Sequence, residues 1–217
     1  MRQDEWSRGV VAVIADSVRH YRKRRSMSAQ DVANACSGLG YASLTRGVIA
    51  NLETGARDSI TVGEWLILAA ALQVPPLLLL FPVGRRAEVE VLPDTTVSPW
   101  AALNWTEHGR LTGVEEPFAE DAITIAEFRR HDEFVSMWAQ ARQEGMRVRE
   151  LLAKDPADLK RLDEDVNELR LELADRERLE ERASIMLGQV RRTLRRAGLT
   201  PPDLPRALRF VDEDTRP

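Results

Sequence analysis

Residues 28–55 read SAQDVANACSGLGYASLTRGVIANLETG, and their punctuation predicts two short helices joined by a turn. Ser28 is suited to cap the first helix, and Asp31 three residues on approximates a capping box. Val32, Ala33 and Cys36 then fall on one helical face. Gly38 and Gly40 stop that helix and open the turn. Ser43 or Thr45 supplies a cap for the second helix. Val48, Ile49 and Leu52 form its apolar stripe, and Gly55 suits the left-handed residue just past its end. Thr45, Arg46, Ala50 and Asn51 are left facing outward.

The flanks extend the same pattern. Residues 11–25 predict a first helix with Val13, Ile14, Val18 and Tyr21 inward. Residues 61–72 predict a fourth, with Trp65, Leu66, Leu68 and Ala69 as core. The run VPPLLLL at 74–80 predicts a short closing helix. Over residues 10 to 82 this arrangement resembles the helix-turn-helix of phage-repressor-type regulators, the Xre family. The longer turn, the VPPLLLL run and the later PWAALNW run at 99–105 are similar to that family's variant in filamentous actinobacteria.

The resemblance implies a five-helix DNA-binding domain over 1–82, with residues 45–52 as its recognition helix. Thr45, Arg46, Ala50 and Asn51 are then the base contacts, since Arg can pair bidentately with guanine and Asn with adenine. Arg22, Lys23, Arg24, Arg25, Ser28, Gln30 and Arg57 are the expected phosphate contacts. Family members often carry a phosphate-touching glutamine at the position matching Ala29; here Gln30 stands one residue later.

Charge supports this reading once it is divided. The chain is −4 overall. Residues 1–86 hold 11 Lys or Arg against 7 Asp or Glu, a net +4; the remainder holds 20 against 28, a net −8. The densest basic cluster is Arg19, Arg22, Lys23, Arg24 and Arg25. Five cations in seven residues exceed what a helix C-terminus needs, which points to phosphate. Arg85 and Arg86 read as a solvated linker.

Residues 83–118 predict a connector. AEVEVL at 87–92 alternates like a strand, and Pro93-Asp94 ends it. Ser98-Pro99 begins a helix through Trp105, and Trp100, Leu103 and Trp105 are expected to dock this segment onto a neighbouring surface. Gly109, Gly113 and Pro117 mark a boundary. Residues 119–198 predict long helices forming a hairpin or coiled coil. Ile123, Phe128, Val135, Trp138, Ala141 and Val148 lie on one helix to about Ala153, with Gly145 a weak point. Asp155 and Pro156 begin the next, in which Leu159, Leu162, Val166, Leu169 and Leu173 form a coiled-coil seam expected to dimerise. The seam resumes at Leu179, Ala183, Met186 and Val190 after an offset of three, the signature of a stammer. Arg191, Arg192, Arg195 and Arg196 read as solvated helix-end charges, and the Pro-rich tail 199–217 as partly disordered.

Chemistry finds little footing. His20, His108 and His131 are isolated, without ligand spacing or a cysteine pair. Gly38-Leu39-Gly40 lacks a phosphate loop's Lys-Ser/Thr. Asp163-Glu164-Asp165 and Glu180-Glu181 read as solvated coil faces. The single cysteine, Cys36, fits a small buried hydrophobe in a reducing compartment. No signal peptide or membrane span is expected. The sequence therefore predicts a mainly α, non-enzymatic, cytoplasmic regulator without a cofactor. Its partners are double-stranded DNA and a second copy of itself, over a palindromic operator. The alternative is an adaptor or antitoxin-like protein working through its helical arm.

Overall fold

The computed structural model describes residues 2–109, 111, 119–155, 159 and 165–213. It is mainly helical and divides into two compact units, 1–116 and 117–217. Gly113, Pro117, Pro156, Leu162, Asp163 and Glu164 lie outside the described residues, as do the side chains of His108 and Ile123.

The first unit opens with α1 (Arg2–Arg24), whose acidic first turn and basic last turn both complement the helix dipole. It starts nine residues before the expected Val11. Then follow α2 (Ala29–Gly38), α3 (Arg46–Glu53), α4 (Val62–Ala71) and α5 (Pro76–Leu80). The caps follow the sequence. Ser28 and Asp31 make a reciprocal capping box, Thr45 caps α3, and Thr61 with Glu64 makes a second box on α4. Gly55 has φ 75°, the left-handed geometry expected past α3. One core joins these helices through Ile14, Val18, Val32, Cys36, Ile49, Leu52, Leu68 and Leu79. Cys36 is fully buried, and desolvation pushes its thiol pKa up, so it serves as a hydrophobe. Leu66, expected in the core, is 46% exposed, while Trp65 is half-buried and donates to the Pro76 carbonyl.

The segment read as a connector belongs to this unit. β1 (Val89–Leu92) pairs antiparallel with β2 (Thr95–Val97), across a turn in which Asp94 takes φ 63°. Then α6 (Pro99–His108) starts from the Ser98 cap. Val13, Phe81, Val89, Val91, Ala102 and Leu111 form a second core, with Leu103 and Trp105 packed against it. Trp100 does not join them and is 60% exposed. Val13 buries its side chain against the hairpin, a partner some 75 residues distant in the chain that periodicity alone does not reveal. Arg85 and Arg86 are tied to α1, although Arg86 stays exposed: Arg85 donates to Asp16 at 2.9 Å and Ser17 at 3.2 Å, and Arg86 to Asp16 at 3.3 Å.

The second unit is a helical hairpin of α7 (Ala119–Leu152) and α8 (Val166–Arg196). Along α7 the inward positions are 127, 131, 134, 138, 141, 145, 148 and 152; along α8 they are 166, 169, 173, 176, 180, 183, 187, 190 and 194. Both sets alternate threes and fours without a break, which corrects the stammer. The seam passes through two charged residues that apolar counting skips. Arg176 pairs with Glu144 of α7 at 2.9 Å, and Glu180 with Arg142 at 2.8 Å. Gly145 does not interrupt α7, and a Cβ there would meet that of Arg176 at 3.6 Å, an ordinary contact. Leu159, Val166, Leu169 and Leu173 pack with Val148, Leu151 and Leu152 in one hydrophobic cluster. These four members of the set expected to dimerise are thus packed within the chain, because an antiparallel partner of matching period lies next in sequence. Asp165 is exposed, as expected, and also caps α8 by accepting from the Asn167 N–H at 2.6 Å.

The tail is ordered over 199–213. A 3-10 turn (Arg206–Leu208) and α9 (Phe210–Glu213) return it to the hairpin. There Leu204, Leu208 and Val211 pack with Trp138, Ala183 and Leu187. Arg191, expected in solvent, is 4% exposed. It holds both Asp212 oxygens at 2.8 Å, the Pro202 carbonyl at 2.6 Å and His131 Nε2 at 2.8 Å. Nε2 faces a guanidinium N–H, so it is the acceptor, and His131 carries its proton on Nδ1, toward Asp132.

Candidate nucleic-acid interface

The α3 helix is built as a backed, one-sided element. Thr45 Oγ1 accepts from Val48 N at 3.4 Å and fixes its first turn. Leu44, Ile49 and Leu52 are at most 1% exposed, and each such burial contributes roughly 1.5–3 kcal/mol. At 100° per residue the opposite arc holds Arg46, Gly47, Ala50 and Asn51. Thr45, Arg46, Gly47 and Asn51 are exposed, and Ala50 is half-buried. The helix therefore brings three of the four expected base-contact residues, Arg46, Ala50 and Asn51, together on one side, while Thr45 is the exposed cap before it. Gly47 was not singled out by the sequence reading, although simple helical projection places it at the centre of the arc.

The far end of α3 is clamped to α1. Arg22 Nε and Nη2 donate to the two Glu53 carboxylate oxygens at 2.6 and 2.7 Å, and Nη1 to the Met27 carbonyl at 2.9 Å. Arg19 adds a bond to the Glu53 carbonyl at 2.8 Å. The bidentate pair raises the Arg22 pKa further above its ordinary value. Its side chain is only 16% exposed, so Arg22, expected on phosphate, instead braces two helices. Arg57 is diverted in the same way. It donates to both Glu64 oxygens at 2.8 and 2.7 Å. Burial pushes the Glu64 carboxyl up, but the Thr61 backbone N–H and Arg57 outweigh it and hold the pKa below its ordinary value.

The remaining candidates differ among themselves. Arg25 donates to the Gln73 carbonyl at 3.0 Å and lies 5.7 Å from the Tyr21 ring centre. Ser28 Oγ is occupied by the Asp31 N–H at 3.1 Å. The exposed Gln30 donates to Asn34 at 2.9 Å. Lys23 and Arg24 are exposed, and no bond or ion pair holds either side chain among the described residues. Density of basic residues could not separate these roles, because the acids that claim Arg22 and Arg57 are decided by tertiary contact.

Among the described residues no group of His, Cys, Asp and Glu is arranged to hold a metal ion, and no helix is long and apolar enough to cross a membrane. No family model, curated protein or solved structure matches this chain.

Proposed function

We propose that the first unit binds double-stranded DNA in a sequence-specific manner through α3, and that the protein regulates transcription as a homodimer on a palindromic operator. One observation carries this reading. The outward arc of α3 presents an arginine and an asparagine over a fully buried apolar back, and a bidentate ion pair fixes its far end. A side chain must be held this rigidly to read a base edge, and these two residue types match guanine and adenine. Lys23 and Arg24 supply exposed positive charge at the end of α1 for phosphate. The resemblance to Xre-type regulators agrees with this reading.

Electrophoretic shift with genomic fragments, followed by titration of the selected site against random DNA, tests it. Arg46→Ala or Asn51→Ala is expected to cost roughly 1–3 kcal/mol on the cognate site and little on random DNA. Equal losses on both would make these residues phosphate contacts. A second reading, an adaptor or antitoxin-like protein acting through its arm, is favoured by the outward Leu171 and Ile185 of α8, 67% and 54% exposed. A chain that selects no fragment while the arm alone captures a protein would favour it.

A further inference from the structure

Away from α3, the first unit contains a cavity of about 300 Å³ between α1, the end of α5, the β-hairpin and α6. Its walls are apolar and include Trp6, Val10, Val13, Phe81, Val91 and Trp105. That volume lies within the range of small-molecule sites, which are mostly apolar with a few placed polar groups. One such group is present. The Trp6 indole N–H is buried and meets no acceptor among the described residues. A buried donor without an acceptor is uncommon in folded proteins and marks a place where a partner is missing.

The geometry points to this cavity as a binding site for a small, neutral, largely apolar ligand carrying one hydrogen-bond acceptor, such as a carbonyl oxygen, that receives the Trp6 N–H. Charge narrows the class. No cation lines the cavity among the described residues, and the only charged lining group is Glu90. Glu90 is exposed at the rim, and its Oε1 already accepts from the Asp94 backbone N–H at 3.0 Å. A carboxylate ligand would be desolvated there with nothing to pair it. The inference does not depend on the unit binding DNA.

The probe is the neutral naphthyl ketone prodan, compared with its propyl analogue, in which the carbonyl is a methylene. Fluorescence titration of the full chain is expected to show saturable one-to-one binding with blue-shifted emission. Val10→Phe, which fills the cavity, should weaken prodan at least about tenfold. Leu92→Phe repeats that test if circular dichroism shows Val10→Phe unfolded. Trp6→Phe keeps an aromatic side chain, smaller than the indole, and removes the donor. It should weaken prodan about fivefold, one neutral hydrogen bond, and leave the propyl analogue unchanged. Naphthoate, similar in shape but anionic, should bind more weakly than prodan. The assignment is overturned by unsaturable binding, by wild-type affinity in a folded cavity-filling variant, by equal loss of both probes in Trp6→Phe, or by naphthoate binding as well as prodan.

Discussion

Arg22 and Lys23 are neighbours in the chain and face different chemistry. Arg22 places three N–H groups on the Glu53 carboxylate and the Met27 carbonyl. Arg22→Ala is therefore expected to destabilise the first unit by about 1.5–3 kcal/mol, the range for hydrogen bonds to a charged group, read by denaturant unfolding. Lys23→Ala with Arg24→Ala should leave stability within about 0.5 kcal/mol. On DNA the same pair should lower the salt slope by about one unit for each true phosphate contact. A slope unmoved by the double change would leave these cations as helix-end solvation. Gly47 gives a sharper test of the face itself. An added Cβ would meet nothing closer than Thr45 Oγ1 at 3.9 Å. Gly47→Gln should therefore stabilise α3 by up to about 0.5 kcal/mol, since glycine is a poor helix former. It should also abolish operator binding by standing a long side chain in the middle of the arc. A variant that melts higher and still binds would remove this arc from the interface.

At the scale of elements, the caps and periodicities that lie within one stretch of chain were legible. Ser28, Thr45 and Ser98 cap the helices that their positions predicted. What could not be read was pairing. The β2 strand is three residues long and has no alternation of its own; β1 makes it a strand. Arg176 and Glu180 hide the heptad because their burial requires Glu144 and Arg142 on another helix. The tail shows the same limit. Proline content and acidity suggested disorder, yet Leu208 is fully buried and Arg191 anchors the segment. That anchor should respond to acid. The Arg191 hydrogen bonds, followed by those of Arg195, hold the Asp212 carboxyl below its ordinary value. A depressed carboxyl pKa stabilises the fold above the unfolded value, near 3.9, and that contribution fades as pH falls toward the folded value. Among the described residues, the charged and titratable groups in contact there include Arg191, Arg195 and, through Arg191, His131. Between pH 5 and about 3, amide protection at Leu208 and Val211, taken relative to the intrinsic exchange rate at each pH, should fall before the α7–α8 hairpin opens. Asp212→Asn should exchange quickly throughout and lose this pH dependence. Identical profiles for the two proteins would show that the carboxylate does not hold the tail.

At the scale of the whole molecule, the proposed homodimer calls for a surface other than the expected seam. Leu159, Val166, Leu169 and Leu173 are packed beside α7 residues of the same chain. Leu169→Asp should therefore unfold the arm and not release an intact monomer, since it buries a charge without a partner. The outer side of α8 offers a different stripe. Leu171 and Ile185 stand two heptads apart on one outward line and are the most exposed large apolar residues of the hairpin among the described residues. An isologous contact uses one patch twice, so a short stripe on an antiparallel hairpin suffices to join two copies about a two-fold axis. Sedimentation velocity across a concentration series should give a dimer for the wild-type chain. Leu171→Glu with Ile185→Glu should give the 24.5 kDa species with unchanged helical circular dichroism and weakened operator binding. A wild-type chain that sediments at 24.5 kDa at every concentration would remove the homodimer. A dimer that survives the double change would move the contact off this stripe while leaving the dimer itself in place.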